Sequence, residues 1–195
     1  MNTLTLIIIG YFIGNINPAH IIGYFKKTNI SKTGSKNPGA SNITMTFGWK
    51  YGIITGIVDI LKSFIPVLTV KLLGYDQIDQ LIIGTAVIIG HVYPILYKFK
   101  GGKGTASLIG LIAGMNIYAG LILSATLILG TIITDFMALG TLVLLIGYVT
   151  YNIIYFSGNY LLISFIIPIL SIYKHFPNFI RIAKGEEKGL RSTFK

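Results

Sequence analysis

Residues 98–104 read KFKGGKG and place three lysines and three glycines between two long apolar runs. Glycines let a backbone approach a ligand and turn its N–H groups inward, and lysines supply charge, so the combination suits a phosphate. A second stretch, TGSKNPGASN at 33–42, has the same character and also lies between apolar runs. Its Ser, Asn and Gly residues offer hydroxyl, amide and backbone donors without bulk, although Ser and Asn equally suit a turn that caps a helix. The 98–104 loop is not a nucleotide-binding P-loop: Gly104 follows Lys103 where Ser or Thr is required, and Tyr97 stands in place of the first glycine. Asp59 and Lys62, spaced i, i+3, fall inside an apolar run, where they could pair on one helix face as a functional site or as a structural lock. His20, His91 and His175 show no metal-ligand spacing. The positions five beyond them are Phe25, Leu96 and Ile180, which removes an H-x-x-x-x-D histidine–aspartate dyad.

The elements that must carry these loops are apolar. Mean hydropathy is +0.74, and 11% of residues are charged, against about 25% in a soluble domain. Apolar runs at 3–25, 50–74, 81–97, 105–134, 136–156 and 160–173 suffice to cross a ~30 Å hydrocarbon core. Asn15, Asn17 and Pro18 should interrupt the first. The 105–134 run is too long for one straight span and should break near Asn116. The expected fold is all-α: one polytopic bundle of about seven transmembrane helices over residues 1–195. With no cysteine in the chain, disulfides, thiolate metal sites and a cysteine nucleophile are excluded.

The net charge of +10 does not imply nucleic acid as a partner, because the basic residues flank apolar runs. All sixteen Lys and Arg except Lys62 and Lys71 fall in or beside the 26–48 loop, the KFKGGKG loop and the tail. The positive-inside rule puts those three segments in the cytoplasm, with the acidic 75–80 turn and the N-terminus outside.

Taken together, the loops resemble the acyl-phosphate-dependent glycerol-3-phosphate acyltransferases of bacteria, the PlsY family. Gly14-Asn15-Ile16-Asn17-Pro18 loosely matches the family's G-S-I-P opening. Gly34 through Asn42 closely matches G-S-G-N-P-G-A-T-N. Gly90-His91, Pro94 and Phe99 through Gly104 match G-H-x-x-P-x-x-x-x-F-K-G-G-K-G. His175, Asn178, Arg181, Gly185 and Glu187 match the tail motif H-x-x-N-x-x-R…G-x-E. The chain departs from the family at Met45, where an arginine is usual, at Ser63, where glycine follows D-x-x-K, and at Lys174, where Arg precedes the histidine. Met45 removes a planar, permanently charged fork suited to phosphate.

The resemblance implies transfer of a fatty acyl group from acyl phosphate to the 1-hydroxyl of glycerol 3-phosphate, giving lysophosphatidic acid at the cytoplasmic face of a bacterial inner membrane. The implied partners are acyl phosphate, glycerol 3-phosphate and membrane lipid, with no metal and no cofactor. Ser35, Lys103 and Lys36 are assigned to phosphate, and Asn37 and Asn42 to orientation. Gly101, Gly102 and Gly104 would admit the phosphate to the backbone. Gly39, Lys100 and Arg181 complete the binding set, and His91, His175, Asn178 and Glu187 belong to the acceptor or to loop bracing. Two other readings stay open: a small-anion transporter, and a catalytically weak paralogue that binds acyl phosphate or lipid, which Met45 favours. The oligomeric state is left open.

Overall fold

The structure is a computed structural model and describes residues 2–193. Among these residues the secondary structure is helical. The helices are α1 (Thr3–Gly14), α2 (Pro18–Phe25), α3 (Ala40–Phe47), α4 (Trp49–Leu72), α5 (Gln77–Val92), α6 (Thr105–Met115), α7 (Ile117–Thr134), α8 (Met137–Tyr155), α9 (Gly158–Ser164), α10 (Ile166–Ala183) and α11 (Leu190–Thr193), with a 3-10 turn at Ile95–Tyr97. Six segments are long and apolar enough to cross a membrane: Thr3–Phe25, Trp49–Leu72, Gln77–Tyr97, Ile117–Thr134, Met137–Tyr155 and Gly158–Ala183. The apolar helix Thr105–Met115 is shorter, so the expectation of about seven crossings holds with one reduced member. The chain forms two compact units, Met1–Met115 and Asn116–Lys195.

In the first unit α1 packs on α5 and α4 on α6. Both contacts use small residues that let backbones approach, as membrane helices require in the absence of a hydrophobic drive between them. Gly14 lies against Gly90, where an added methyl would strike the backbone of the facing helix. Gly110 lies against the Ile60 carbonyl and Gly114 against Val67, so α6 runs parallel to α4. The interruption in the first run is where Asn15, Asn17 and Pro18 place it. Pro18 has no N–H to give the Gly14 carbonyl, and Asn17 caps α2 by accepting from the His20 N–H at 3.1 Å.

In the second unit α7 packs on α8, and α10 on α8 and α9. Asn116 ends the apolar run by capping α7, its side chain accepting from the N–H groups of Tyr118 and Ala119 at 3.0 and 3.2 Å. Pro168 cannot donate to the Ser164 carbonyl, which accounts for the interruption between α9 and α10. Helix α10 runs farther than its apolar content suggests, to Ala183, so His175, Asn178 and Arg181 stand on helix rather than in a loose tail. The chain then returns to the α7–α8 turn. The Leu190 N–H donates to the Asp135 carbonyl at 2.7 Å, and the Arg191 N–H to Asp135 Oδ1 at 2.8 Å. The C-terminal segment and the Asp135 turn therefore share one end of this unit.

Candidate active site

The break between α1 and α2 organises the first unit's loops. Asn15 Oδ1 accepts from the Leu96 N–H at 3.3 Å, and Asn17 Nδ2 lies 3.4 Å from the Pro38 carbonyl. His20 Nε2 donates to the Lys100 carbonyl at 2.7 Å, and its ring stacks on Tyr97 with centroids 4.1 Å apart. Three polar residues of one interrupted helix thus fasten both cationic loops. The Asn-rich interruption is chemically apt because side-chain amides can satisfy the backbone groups of loops that have no ladder of their own.

The first loop folds around Asn42, which is fully buried. Its Oδ1 accepts from the Ser35 N–H at 2.9 Å, and its Nδ2 donates to the Ile30 and Thr33 carbonyls at 3.1 and 3.0 Å. Gly34 lies against Asn42 Oδ1 with a left-handed φ of +59°, so no side chain fits there. Asn42 accordingly shapes the loop from within. Ser35 and Lys36 are exposed, and Asn37 and Gly39 half-buried. Sequence reasoning reads 26–48 as a polar loop; its second part is helix α3, with Met45 exposed on it.

The second loop turns back onto α5. The Gly102 N–H donates to the His91 carbonyl at 3.2 Å. A β-carbon at 102 would press on His91 Nε2 and Cε1 and lie 3.2 Å from the Pro38 carbonyl. Gly102 is therefore the point where the two loops and His91 converge, and the absent side chain is what permits it. Gly101, Gly102 and Gly104 are buried, Lys103 is half-buried, and Lys100 is exposed.

Beneath this loop lies a buried charged trio. Lys62 Nζ is 2.8 Å from Asp59 Oδ1 and 2.7 Å from His91 Nδ1, and His91 Nδ1 is 3.3 Å from Asp59 Oδ1. Exposures of 3%, 7% and 3% for Asp59, Lys62 and His91 exclude a solvated-face reading. Lys62 also donates to the Ile16 and Gly14 carbonyls at 2.8 and 3.3 Å. These are the carbonyls that the α1–α2 break leaves without helical partners. His91 Nδ1 thus faces Lys62 and Asp59, while Nε2 faces Gly102. Ser107 Oγ adds α6 by donating to the Asp59 carbonyl at 3.1 Å. The trio thus ties α4, α5, α6 and the break together under the glycine loop.

In the second unit His175, Asn178 and Arg181 follow at i, i+3 and i+6 on α10, one helix face. His175 and Asn178 are buried. His175 Nδ1 donates to the Ser171 carbonyl at 2.9 Å. Glu187 folds back over this face, with Oε1 accepting from Asn178 Nδ2 and Oε2 from Arg181 Nε, each at 2.6 Å. The tail motif is therefore a built cluster closed by a carboxylate.

Of the expected site residues, the structure gathers Ser35, Lys36, Asn37, Gly39, Asn42, His91 and Lys100 to Gly104 in the first unit. It gathers His175, Asn178, Arg181 and Glu187 in the second. Asp59 and Lys62 stand out from their intramembrane position in the sequence, but nothing there ties them to His91. The missing signal is that the proline at 18 strands carbonyls for a lysine 44 or more residues away to collect.

The architecture so far is that of a multi-pass helical membrane protein with two glycine-bearing cationic loops braced by an interrupted helix. Residues 4–185 match the family model described as glycerol-3-phosphate acyltransferase. A relative from Oceanobacillus iheyensis, glycerol-3-phosphate acyltransferase 1, is 39% identical over 96% of this chain and 94% of its own length. The Aquifex aeolicus glycerol-3-phosphate acyltransferase is 32% identical over 96% of this chain and 98% of its own. A crystal structure of PlsY, an integral membrane glycerol 3-phosphate acyltransferase, in its glycerol 3-phosphate form superposes with a TM-score of 0.90 at 30% identity, covering 96% of this chain and 95% of that one. The lysophosphatidic acid form gives 0.84 at 30% identity, with 97% and 96% covered. The chain belongs to the glycerol-3-phosphate acyltransferase family, and it is an acyltransferase built as a multi-pass helical membrane protein.

Proposed function

We propose that this acyltransferase moves a fatty acyl group from acyl phosphate to the 1-hydroxyl of glycerol 3-phosphate at the cytoplasmic face of the membrane. The observation that carries the reading is the convergence of the two cationic loops at Gly102, with Pro38 on one side and His91 on the other. Glycerol 3-phosphate is a water-soluble dianion, so basic loops at the membrane edge suit it. Acyl phosphate joins a lipid tail to a phosphate head and can lie among helices with its head at the same loops. The named acceptor and product of the PlsY structures support the acceptor, and the absence of any cysteine supports a route without a thiol acyl-enzyme.

The hydroxyl oxygen of the acceptor attacks the acyl carbonyl carbon. The bond from that carbon to the phosphate oxygen breaks, and the phosphate leaves with the electron pair. The hydroxyl proton passes to a phosphate oxygen, so the donor supplies its own base. The protein's part is then positioning and charge stabilisation. Ser35, Lys36 and Lys103 hold phosphate, Asn37 orients, and Gly101, Gly102 and Gly104 let backbone come near the anion. Asn42 acts through the shape of the first loop. Asp59, Lys62 and His91 act as positioning residues that keep the second loop, and with it Lys103, in place. Gly39, Lys100, His175, Asn178, Arg181 and Glu187 belong to the acceptor or to bracing.

Product formation by the purified protein tests the reading. Glycerol 3-phosphate with acyl phosphate gives lysophosphatidic acid, little forms with acyl-CoA, and Lys103→Ala abolishes the reaction. Equal rates with acyl-CoA overturn the donor assignment. The chain has no cysteine, so single cysteines at the exposed positions Lys36, Lys98, Lys188 and Gln77 test the orientation. The first three label from the cytoplasm and the fourth from outside; the reverse pattern overturns the cytoplasmic site.

A further inference from the structure

A cavity of about 770 Å³ opens between the end of α2 with its following loop and the 96–100 segment. It shares Lys98 and Lys100 with the KFKGGKG loop, but Ser35, Lys36, Asn42 and Lys103 are absent from its lining. Four exposed lysines line it, Lys27, Lys32, Lys98 and Lys100. None of the four makes an ion pair among the described residues. The carboxylates of the first unit lie elsewhere. Asp59 is consumed in the buried trio, and Asp76 and Asp79 sit at the opposite end of α5, sixteen residues of helix away. The floor is rigid, because the His20 ring stacks on Tyr97 and bonds to the Lys100 carbonyl. Ser31, also in the lining, has a shielded hydroxyl with no hydrogen-bond partner. Four lysines at one cavity without a carboxylate partner suit a phosphate.

The cavity's level in the membrane identifies the source of that phosphate. Two apolar spans, Thr3–Phe25 and Gln77–Tyr97, both end at it. Tyr24 and Leu96 of its lining are 80% and 69% exposed. An apolar and aromatic rim beside lysines at the end of a span is the pattern of the head-group layer. A soluble phosphate has no use for such a rim. We infer that this cavity binds the phosphate head of an anionic membrane lipid beside the acyl-transfer loops, with Ser35 and Lys103 outside its lining. Lysines act as mobile point charges rather than planar forks, so the site selects negative lipids over zwitterionic ones without discriminating among acidic head groups.

The experiment uses the full chain in mixed vesicles of phosphatidylglycerol and phosphatidylcholine, reading the lipid that stays bound after extraction by native mass spectrometry. The wild type retains phosphatidylglycerol preferentially. Lys27→Gln with Lys32→Gln lowers that retention about ten- to thirty-fold, the effect of two lysines at a membrane surface, while acyl transfer in neutral lipid is unchanged. Lys184→Gln with Lys188→Gln, which removes the same charge from exposed positions elsewhere, leaves retention intact. Equal loss in the two double variants would reduce the effect to net charge and overturn the site. Unchanged retention in the first variant would overturn it as well. Displacement of the lipid by millimolar inorganic phosphate would show a soluble anion as the occupant and overturn the lipid assignment.

Discussion

The Asp59–Lys62 and Arg181–Glu187 pairs have similar lengths, 2.8 and 2.6 Å, but opposite surroundings. The side chains of the first are 4% exposed each, and those of the second 38% and 17%. The first is locked from every side, since Lys62 also serves His91 and two stranded carbonyls. The second closes a short return of the chain over one helix face. Attraction in a buried pair must offset a large desolvation cost, so such a pair persists only when its remaining groups are satisfied, and it then holds one geometry. A partly exposed pair is screened by water and contributes little to stability. The contrast separates a buried, locked cluster under the first unit's loops from a partly exposed, solvent-screened one in the second unit.

The largest expected effect comes from breaking the buried pair. Lys62→Met strands the Asp59 carboxylate and the Gly14 and Ile16 carbonyls, and removing one partner of a buried pair costs roughly 3–5 kcal/mol. Thermal unfolding in detergent should show a large drop in midpoint, partly restored by adding Asp59→Asn. A single variant as stable as wild type would remove the trio from its positioning role.

Met45→Arg sharpens the comparison from the other direction by adding a permanent charge near the first loop. Met45 is 37% exposed on α3, so the longer side chain has room. One charge-assisted hydrogen bond contributes roughly 1.5–3 kcal/mol, which corresponds to about a 10- to 100-fold lower KM for glycerol 3-phosphate. A neutral or harmful result with strong wild-type activity would mean that the site is rebuilt around Lys36, and Lys36→Ala would then raise the acceptor KM.

Gly102→Ala forces a methyl onto the His91 ring, and overpacking of this kind costs about 1–3 kcal/mol. The loop should shift, with kcat falling more than the acceptor KM rises. Full activity in this variant would show that the loop's seat on His91 is immaterial.

The smallest stability effect is expected for Glu187→Gln, since a partly exposed pair contributes roughly 0.2–1 kcal/mol after solvent screening. Its unfolding midpoint should barely move while acyl transfer falls. A fall in stability as large as that of Lys62→Met would erase the distinction between the two clusters.

Much of this was readable along the chain. The breaks at 15–18 and 116 follow from proline lacking an N–H and from asparagine preferring to cap a helix, both local properties. The spans follow from apolar run lengths set against the bilayer, and the loops that carry Ser35 and Lys103 from glycine and lysine standing where the apolar runs stop. The extension of α10 to Ala183 was less legible, because the polar residues of its last turns mask a helix whose buried face is His175 and Asn178. Helix α3 was hidden in the same way, its small polar residues suiting a turn as well as a helix.

The amino-acid order by itself determined which segments are apolar enough to cross the membrane, where they break and which loops carry the glycines and lysines, because those depend on hydropathy, chain length and local backbone capacity. Only the tertiary structure decided that Lys62 collects the carbonyls freed at Gly14 and Ile16, that His91 backs Gly102, and that Asn42 is the inner frame of its loop. Each of those contacts joins residues brought together by packing of separate elements. The partner that satisfies a stranded buried group is chosen by which side chain reaches it in space, and no local pattern in the chain encodes that.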